Sequence, residues 1–154
     1  MFDPQAHQRR GMDLKDVIRG IDRAQKDAEQ NLGVRSLLIM NFQRDASIET
    51  AELAFAEALN HRDKIVAIGL DNTEINNFPA KFADLFKRAK AEGFKLTSHC
   101  DLGQPNTIEH IRGCLEDLQV DRLDHGYHIL EDERLVQLAM EKDLTFTACP
   151  TTDF

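Results

Sequence analysis

The sequence predicts an α/β protein in which parallel strands alternate with helices. Helical and strand-like patterns alternate along all 154 residues, with a repeat of roughly 25 to 30 residues that is typical of βαβ units. The strand-like segments are short and almost continuously apolar, as expected for strands that are buried on both faces. This alternation fits either an open doubly wound sheet or part of an eight-stranded barrel, and the period does not separate the two.

The elements follow in order along the chain. Apolar side chains recur at steps of three and four residues in 12–32, which predicts a helix that Gly33 ends. The apolar run 34–42 predicts the first strand. Four pairs of a helix and a following strand are then predicted. The helices are at 48–60, after Pro79, at 107–118 and at 131–142. The strands that follow them are at 65–70, 94–99, 122–129 and 144–149.

Composition predicts one globular domain that spans residues 1–154. Hydrophobic residues make up 42% and charged residues 30% of the chain, and no linker or low-complexity segment interrupts it. The net charge of −8 argues against binding to nucleic acid or to an anionic membrane. Because no apolar run could span a membrane and the N-terminus does not resemble a secretory signal, we expect a cytoplasmic protein.

Polar side chains cluster just after the predicted strands. They are Asp71, Glu74, His99, Asp101, Asp124, His125, Thr151, Thr152 and Asp153. The carboxyl ends of parallel strands meet at one rim, where ligand sites form in such folds. Histidines and carboxylates brought together there predict a metal site or an acid–base site. Neither GxGxxG nor a P-loop occurs, so that a nucleotide-binding loop is not indicated.

Four of these segments, VAIGLDNTE, LTSHCD, RLDHG and FTACPTTD, resemble in order the strand-end motifs of the adenosine and adenine deaminases. The likeness is greatest to the adenine-deaminase-like branch, and FDPQAHQRRGM also resembles its sequence. The resemblance implies a partial (β/α)8 TIM barrel that corresponds to the third to seventh strands. It also implies zinc-dependent hydrolytic deamination of adenine or an adenosine-like purine, with release of ammonia.

The resemblance assigns roles to individual residues. His99 matches a zinc ligand, and His125 matches the histidine that positions the water on the zinc. Zn²⁺ suits this chemistry because it lowers the pKa of a bound water toward about 7. Glu74 matches a position near the purine pocket, where it would hydrogen-bond a ring nitrogen, and Gly69 would let the strand approach the base closely.

Two departures from the family pattern stand out. Leu102 replaces the glutamate that protonates the purine ring, which leaves Asp101 as the nearest candidate proton donor. The sequence also contains no His-x-His pair and no counterpart of the family's last-strand aspartate, and a catalytic zinc needs about three protein ligands. We therefore expect a truncated domain that is inactive alone and that self-associates through its exposed sheet edges.

Two alternatives remain open at this stage. The chain could be a non-catalytic α/β domain with an open, flavodoxin-type sheet that binds a small ligand or a partner. It could also belong to another amidohydrolase branch that acts on a different ring C–N bond, which the loss of the glutamate at Leu102 keeps open. The remaining histidines are expected to be ordinary surface or core residues; they are His7, His61, His110 and His128.

Overall fold

A computed structural model describes residues 1–102 and 104–149, in which five parallel strands form one sheet. The strands are β1 (Leu38–Gln43), β2 (Ile65–Asp71), β3 (Lys95–Cys100), β4 (Arg122–His125) and β5 (Thr145–Thr147). Their spatial order follows the chain from β1 to β5 without a reversal. A doubly wound sheet reverses its order at a switch point, whereas a β/α barrel does not. The order thus identifies a partial barrel and excludes the flavodoxin-type sheet.

Helices connect the strands and pack on one side of the sheet. They are α1 (Pro4–Gln8), α2 (Leu14–Leu32), α3 (Ile48–Asn60), α4 (Ala83–Ala91), α5 (Thr107–Glu116) and α6 (Glu133–Glu141), with 3₁₀ turns at Pro79–Phe82 and Tyr127–Glu131. Phe42 of β1 meets Phe86 of α4 edge to face, with ring centroids 6.3 Å apart. Both rings are fully buried, so that the core lies between the sheet and this layer of helices.

The predicted elements are present, and their bounds differ in instructive places. The first strand begins at Leu38 rather than at residue 34, because the preceding apolar side chains, including Leu37, are exposed to solvent. The strand predicted at 122–129 ends at His125, because His125 and Gly126 both have φ near +70° and a 3₁₀ turn follows. Helix α1 was not predicted, since five residues are too few to show a helical period. The predicted residues Thr151, Thr152 and Asp153 lie outside the described residues.

The inner face of the sheet is polar, in contrast to its helix-covered face. Side chains alternate between the faces along each strand. Apart from Ile39 and Ala67 near the amino ends of β1 and β2, the inner positions include the polar or small residues Asn41, Gly69, Asp71, Thr97, His99, Arg122 and Asp124. The strand register pairs Asn41 with Gly69 and His99 with Asp124. This alternation places the polar set on the side that a complete barrel would enclose.

The two edges of the sheet differ. Along β1, Phe2 forms a parallel bridge with Met40: its amide donates to Ile39 O at 3.1 Å, and its carbonyl accepts from Asn41 N at 2.9 Å. All three residues of β5 are exposed, and no strand covers their outer side within 1–102 and 104–149. In the same described ranges, no helix is long and apolar enough to cross a membrane.

Candidate active site

His99 and His125 lie together at the carboxyl ends of β3 and β4, with ring centroids 5.5 Å apart. His99 is on the inner face of β3. The register partner of His125 is Cys100, which is fully buried in the core, so that a regular strand would direct His125 toward the helices. The φ of +73° at His125 breaks this alternation. The left-handed residue therefore brings the second imidazole beside the first.

Asp124 supplies a buried carboxylate beneath this histidine pair. Its Oδ2 lies 3.7 Å from Nε2 of His99 and accepts a hydrogen bond from Thr97 Oγ1 at 3.1 Å. Arg122, on the same strand, lies 3.0 Å from Oδ1 through its Nε. A buried carboxylate needs such partners to offset its lost hydration. Asp124 is thus held in place by two neighbours while it faces His99.

Burial lowers the pKa of His99, and the negative charge of Asp124 opposes this shift by favouring the imidazolium. The neighbouring His125 and Arg44 also lower the pKa of His99. Because the ordinary value is already 6.5, the lowered pKa keeps the ring neutral at pH 7. Neutral imidazole is the form that binds a metal ion.

The chemistry of this rim suits a zinc ion in part. An imidazole such as that of His99 is a preferred zinc ligand, and a nearby carboxylate orients such ligands in many metal sites. Among residues 1–102 and 104–149, however, no group of three His, Cys, Asp or Glu side chains is arranged to hold a metal. The described residues therefore fit one portion of a zinc site, with His99 as its candidate ligand.

Glu74 lies in the loop after β2, and its side chain is 3% exposed. Its Oε2 accepts from Asp101 N at 3.0 Å, and its Oε1 accepts from Leu102 N at 3.1 Å. The side-chain amide of Gln104 also donates to Oε2. Both oxygens of Glu74 thus accept hydrogen bonds from the segment that follows His99, and a purine nitrogen would have to compete with these donors.

Asp101 has a φ of +82°, and its carboxylate faces the 3₁₀ turn after β4. His128 donates its backbone N–H to Oδ2 at 2.7 Å, and its Nδ1 lies 2.6 Å from Oδ1. These contacts tie the ends of β3 and β4 together. They favour a positioning role for Asp101, and its role as a proton donor stays a prediction. Leu102 is 47% exposed and offers no group that transfers a proton.

Gly69 leaves space that its neighbour on β1 fills. A Cβ built on Gly69 would lie 1.9 Å from Oδ1 of Asn41 and 3.0 Å from Cγ2 of Thr97. Asn41 in turn donates through Nδ2 to Oδ2 of Asp71 at 2.8 Å. The glycine thus permits close packing of polar side chains on the inner face. The close approach of its strand to a purine base stays a prediction.

Arg44 follows β1, is fully buried, and belongs to the rim although the sequence did not indicate it. Its Nη2 donates to Ser98 Oγ at 3.1 Å and to the backbone oxygen of His99. Its Nη1 lies 3.7 Å from Oε2 of Glu74. Arginine is rarely buried without a charged partner, so that composition gave no reason to place it inside. The rule that selected His99, a polar residue at a strand end, would also have selected Arg44.

Comparison with known proteins gives consistent results. The family model described as adenosine deaminase matches residues 1–154. Over 149 residues the chain is 48% identical to an uncharacterized deaminase, C1683.02, of Schizosaccharomyces pombe, covering 97% of the chain and 44% of that protein. Over 152 residues it is 44% identical to an adenine deaminase of Rhodospirillum rubrum, covering 99% of the chain and 45% of that protein. The chain thus spans less than half the length of these relatives.

Two solved structures resemble the fold of nearly the whole chain. An adenine deaminase from Arthrobacter aurescens superposes with a TM-score of 0.89 at 35% identity, covering 98% of the chain and 46% of that structure. An amidohydrolase from Burkholderia ambifaria with bound Zn superposes with a TM-score of 0.91 at 28% identity, covering 99% of the chain and 42% of that structure. The five-stranded sheet therefore corresponds to a portion of each longer protein.

Proposed function

Since this chain belongs to the adenosine deaminase family, we propose that it forms the central part of a zinc-dependent hydrolytic purine deaminase that acts on adenine. The observation that carries the proposal is the pair of imidazoles, His99 and His125, 5.5 Å apart at the ends of adjacent strands. Adenine is favoured over adenosine because curated relatives at 40–44% identity include several named adenine deaminases. A cytoplasmic location remains part of this proposal.

Each imidazole has a distinct role in the proposal. His99, which its lowered pKa keeps neutral, would be a ligand of the zinc ion. Zinc supplies Lewis-acid activation of water for attack on the ring carbon that bears the amino group. His125 would hold and move a proton at its ring nitrogen, because its left-handed backbone turns the ring toward His99. Ammonia leaves from the attacked carbon.

The substrate side of the proposal includes Gly69, Glu74 and Asp101. Gly69 would border the purine, and Glu74 would shape this side of the site through the segment after His99 whose amides it binds. Asp101 would be the carboxylate that replaces the glutamate missing at Leu102. Buried carboxylates near a reaction centre are general-acid candidates when a hydrogen bond can reach the substrate. The hydrogen bonds of Glu74 and Asp101 within the protein would compete with a bond from either carboxylate to the substrate.

The activity is tested by ammonia release from adenine and from adenosine in the presence of zinc. Release is measured for the 154-residue chain and for the product of the reading frame that includes its flanking DNA. We expect release from the longer product and none from the 154-residue chain, because the described residues fit only one portion of a zinc site. Ammonia release by the 154-residue chain above an EDTA-treated control would overturn the expected inactivity. A longer product that releases no ammonia would overturn the proposed deaminase function.

Site variants sharpen this test. We expect His99→Asn and His125→Asn each to reduce ammonia release at least a hundredfold in the longer product. The matched control is His61→Asn, since His61 is a partly buried histidine after α3 that pairs with Glu57 at 3.1 Å and lies outside the rim of strand ends. Equal activity in all three variants would contradict the assignment of the histidine pair.

One observation favours a second candidate, another amidohydrolase that attacks a different ring C–N bond. Leu102 stands where the family's glutamate is expected, and it is 47% exposed. A substrate that needs no proton from that position would tolerate the leucine. Turnover of a panel of amino-substituted heterocycles separates the two, because a better substrate than adenine in that panel would favour the second candidate.

A further inference from the structure

We infer that Arg44 and Glu74 form a buried clamp that positions His99 and the segment after it. Glu74 then acts through the backbone of this segment rather than through contact with the purine. The inference rests on the proposed function for the importance of His99, and it assigns Arg44 and Glu74 as positioning residues. The clamp is defined by these two side chains. Arg44 directly follows β1, and Glu74 lies in the loop after β2.

The first half of the clamp fixes the carbonyl of His99. Arg44 Nη2 donates to this oxygen and to Ser98 Oγ, and Ser98 Oγ in turn donates to the same carbonyl at 3.0 Å. A backbone carbonyl with two such donors has little freedom to rotate. The peptide that carries the His99 side chain is thus anchored by a residue that follows β1, two strands away from β3 in the sheet.

The second half fixes the two amides that follow. Glu74 accepts from Asp101 N at 3.0 Å and from Leu102 N at 3.1 Å. Asp101 has a φ of +82°, a strained conformation for a non-glycine residue that persists where surrounding contacts determine it. The carboxylate of Glu74 provides such contacts. The chain reversal directly after His99 is therefore held from the loop after β2.

The charges of the two side chains make the clamp a unit. The Arg44 side chain is 0% exposed and that of Glu74 is 3% exposed, with Nη1 and Oε2 3.7 Å apart. Removing one partner of a buried ion pair leaves an uncompensated charge, which is strongly destabilising. His110 is the further titratable group here, with Nδ1 4.0 Å from Glu74 Oε2. The pair thereby couples the ends of β1, β2 and β3 at the point where His99 emerges.

The competing assignment is a hydrogen bond from Glu74 to the purine. Both of its carboxylate oxygens accept from backbone amides, and Gln104 donates to one of them as well. A direct contact with substrate would therefore break bonds within the protein. The two roles predict different effects of replacing Glu74 with the isosteric glutamine. If Glu74 is a clamp, the substitution loosens the segment after His99 even in the absence of substrate. If Glu74 only binds the purine, the substrate-free segment is unchanged.

The test is Glu74→Gln, with Glu52→Gln as the matched control. Glu52 also pairs with an arginine, Arg88, through contacts of 2.7 Å, but at the surface. In substrate-free protein we expect the amides of Asp101 and Leu102 to exchange with solvent at least tenfold faster in Glu74→Gln, and the imidazole NMR signals of His99 to shift. Glu52→Gln should change neither measurement. Unchanged exchange at 101 and 102 in a folded Glu74→Gln protein would overturn the clamp.

A second variant covers the case in which Glu74→Gln does not fold. Arg44→Met with Glu74→Gln removes both buried charges together, so that no unpaired charge remains in the interior. We expect this double variant to fold and to show the same fast exchange at 101 and 102. Full protection of these two amides in the double variant would overturn the inference.

Kinetics then separate the clamp from the proposed function. In an active longer product, we expect Glu74→Gln to lower kcat at least tenfold with a smaller change in KM for adenine. A tenfold rise in KM with kcat and amide exchange unchanged would assign Glu74 to the purine instead. The two proposals can also fail separately. If Glu74→Gln shows fast exchange at 101 and 102 but the unsubstituted longer product has no deaminase activity, the clamp is supported and the proposed function is overturned.

Discussion

Nε2 of His99 lies 3.7 Å from Oδ2 of Asp124, its register partner on the neighbouring strand. The carboxylate is buried, whereas the histidine side chain is 26% exposed. The pair thus places a carboxylate beneath an imidazole whose burial and whose neighbours His125 and Arg44 disfavour a positive charge. Its electrostatic effect on His99 is open to direct measurement.

Asp124→Asn is expected to lower the pKa of His99 further. Burial lowers this pKa, and the charge of Asp124 is the larger of the two charges that raise it, the other being that of Glu74. Removing the charge of Asp124 therefore lets the lowering causes act more fully. The measurement is a pH titration of the His99 imidazole signals by NMR. Asp63→Asn, which removes an exposed carboxylate paired with Lys64, is the control. A pKa of His99 that stays constant or rises in Asp124→Asn would contradict the assigned interaction.

Asp71→Asn is expected to stabilise the protein above pH 7. Burial raises the pKa of Asp71 to about 7, opposed by the hydrogen bond from Asn41 and assisted by the neighbouring Asp3, against an ordinary value of 3.8. The folded state therefore retains a proton that the unfolded chain releases, and stability falls as pH rises from about 4 to 7. Because asparagine does not ionise, the variant avoids this loss.

Urea unfolding at pH 4, 6 and 8 measures the effect of Asp71→Asn. We expect the variant to gain about 1 kcal/mol or more over the unsubstituted protein at pH 8, and the difference to shrink toward pH 4. Asp27→Asn, at an exposed position of α2, should show no such trend. A stability difference for Asp71→Asn that is constant with pH would refute the raised pKa.

Gly69→Ala is expected to destabilise the fold by about 1–3 kcal/mol through overpacking. The added Cβ would lie 1.9 Å from Oδ1 of Asn41. In an Asn41→Ala background the cost should fall by about 1 kcal/mol, because the clashing atom is absent. Chemical unfolding of the four proteins of this double-mutant cycle gives the coupling. Gly20→Ala, where no atom lies within 4 Å of the added Cβ, should be neutral or stabilising.

The 154-residue chain is expected to self-associate through the outer side of β5. The three residues of this strand are exposed, and Phe146 is 39% exposed. An unpaired strand edge with an exposed aromatic side chain pairs readily with another chain. Static light scattering should give a mass above that of a monomer, and Phe146→Lys should shift it toward the monomer. A monodisperse monomer for the unsubstituted chain would contradict this prediction.

The alternation of helices and strands could be read from the sequence, because each strand is a short apolar run between amphipathic segments. The placement of His99 and His125 at one rim followed from the same pattern, since the ends of parallel strands lie side by side. The choice of a barrel over an open sheet rested on the resemblance, and the unreversed strand order now confirms it.

The contacts after His99 could not be predicted. Arg44 is a charged residue, and its complete burial depends on Glu74, which is 30 residues away in the chain. The turn of His125 toward His99 depends on one left-handed backbone angle, which only a few per cent of non-glycine residues adopt and which the apolar pattern of a strand does not indicate. Such features depend on tertiary contacts that local periodicity does not encode.

The unreversed order of the strands also bears on how the chain reaches its fold. Leu38 pairs with Ile65 and Arg122 with Thr145, so that hydrogen-bonded partners are roughly 25 residues apart and each pairing closes a loop of similar, modest entropy. Each strand of the described sheet pairs with the next one along the chain, so that no pairing requires a strand from a distant part of the sequence. Assembly can therefore proceed unit by unit from any adjacent pair, in the manner of a repeat protein, and an incomplete circle of strands can remain folded.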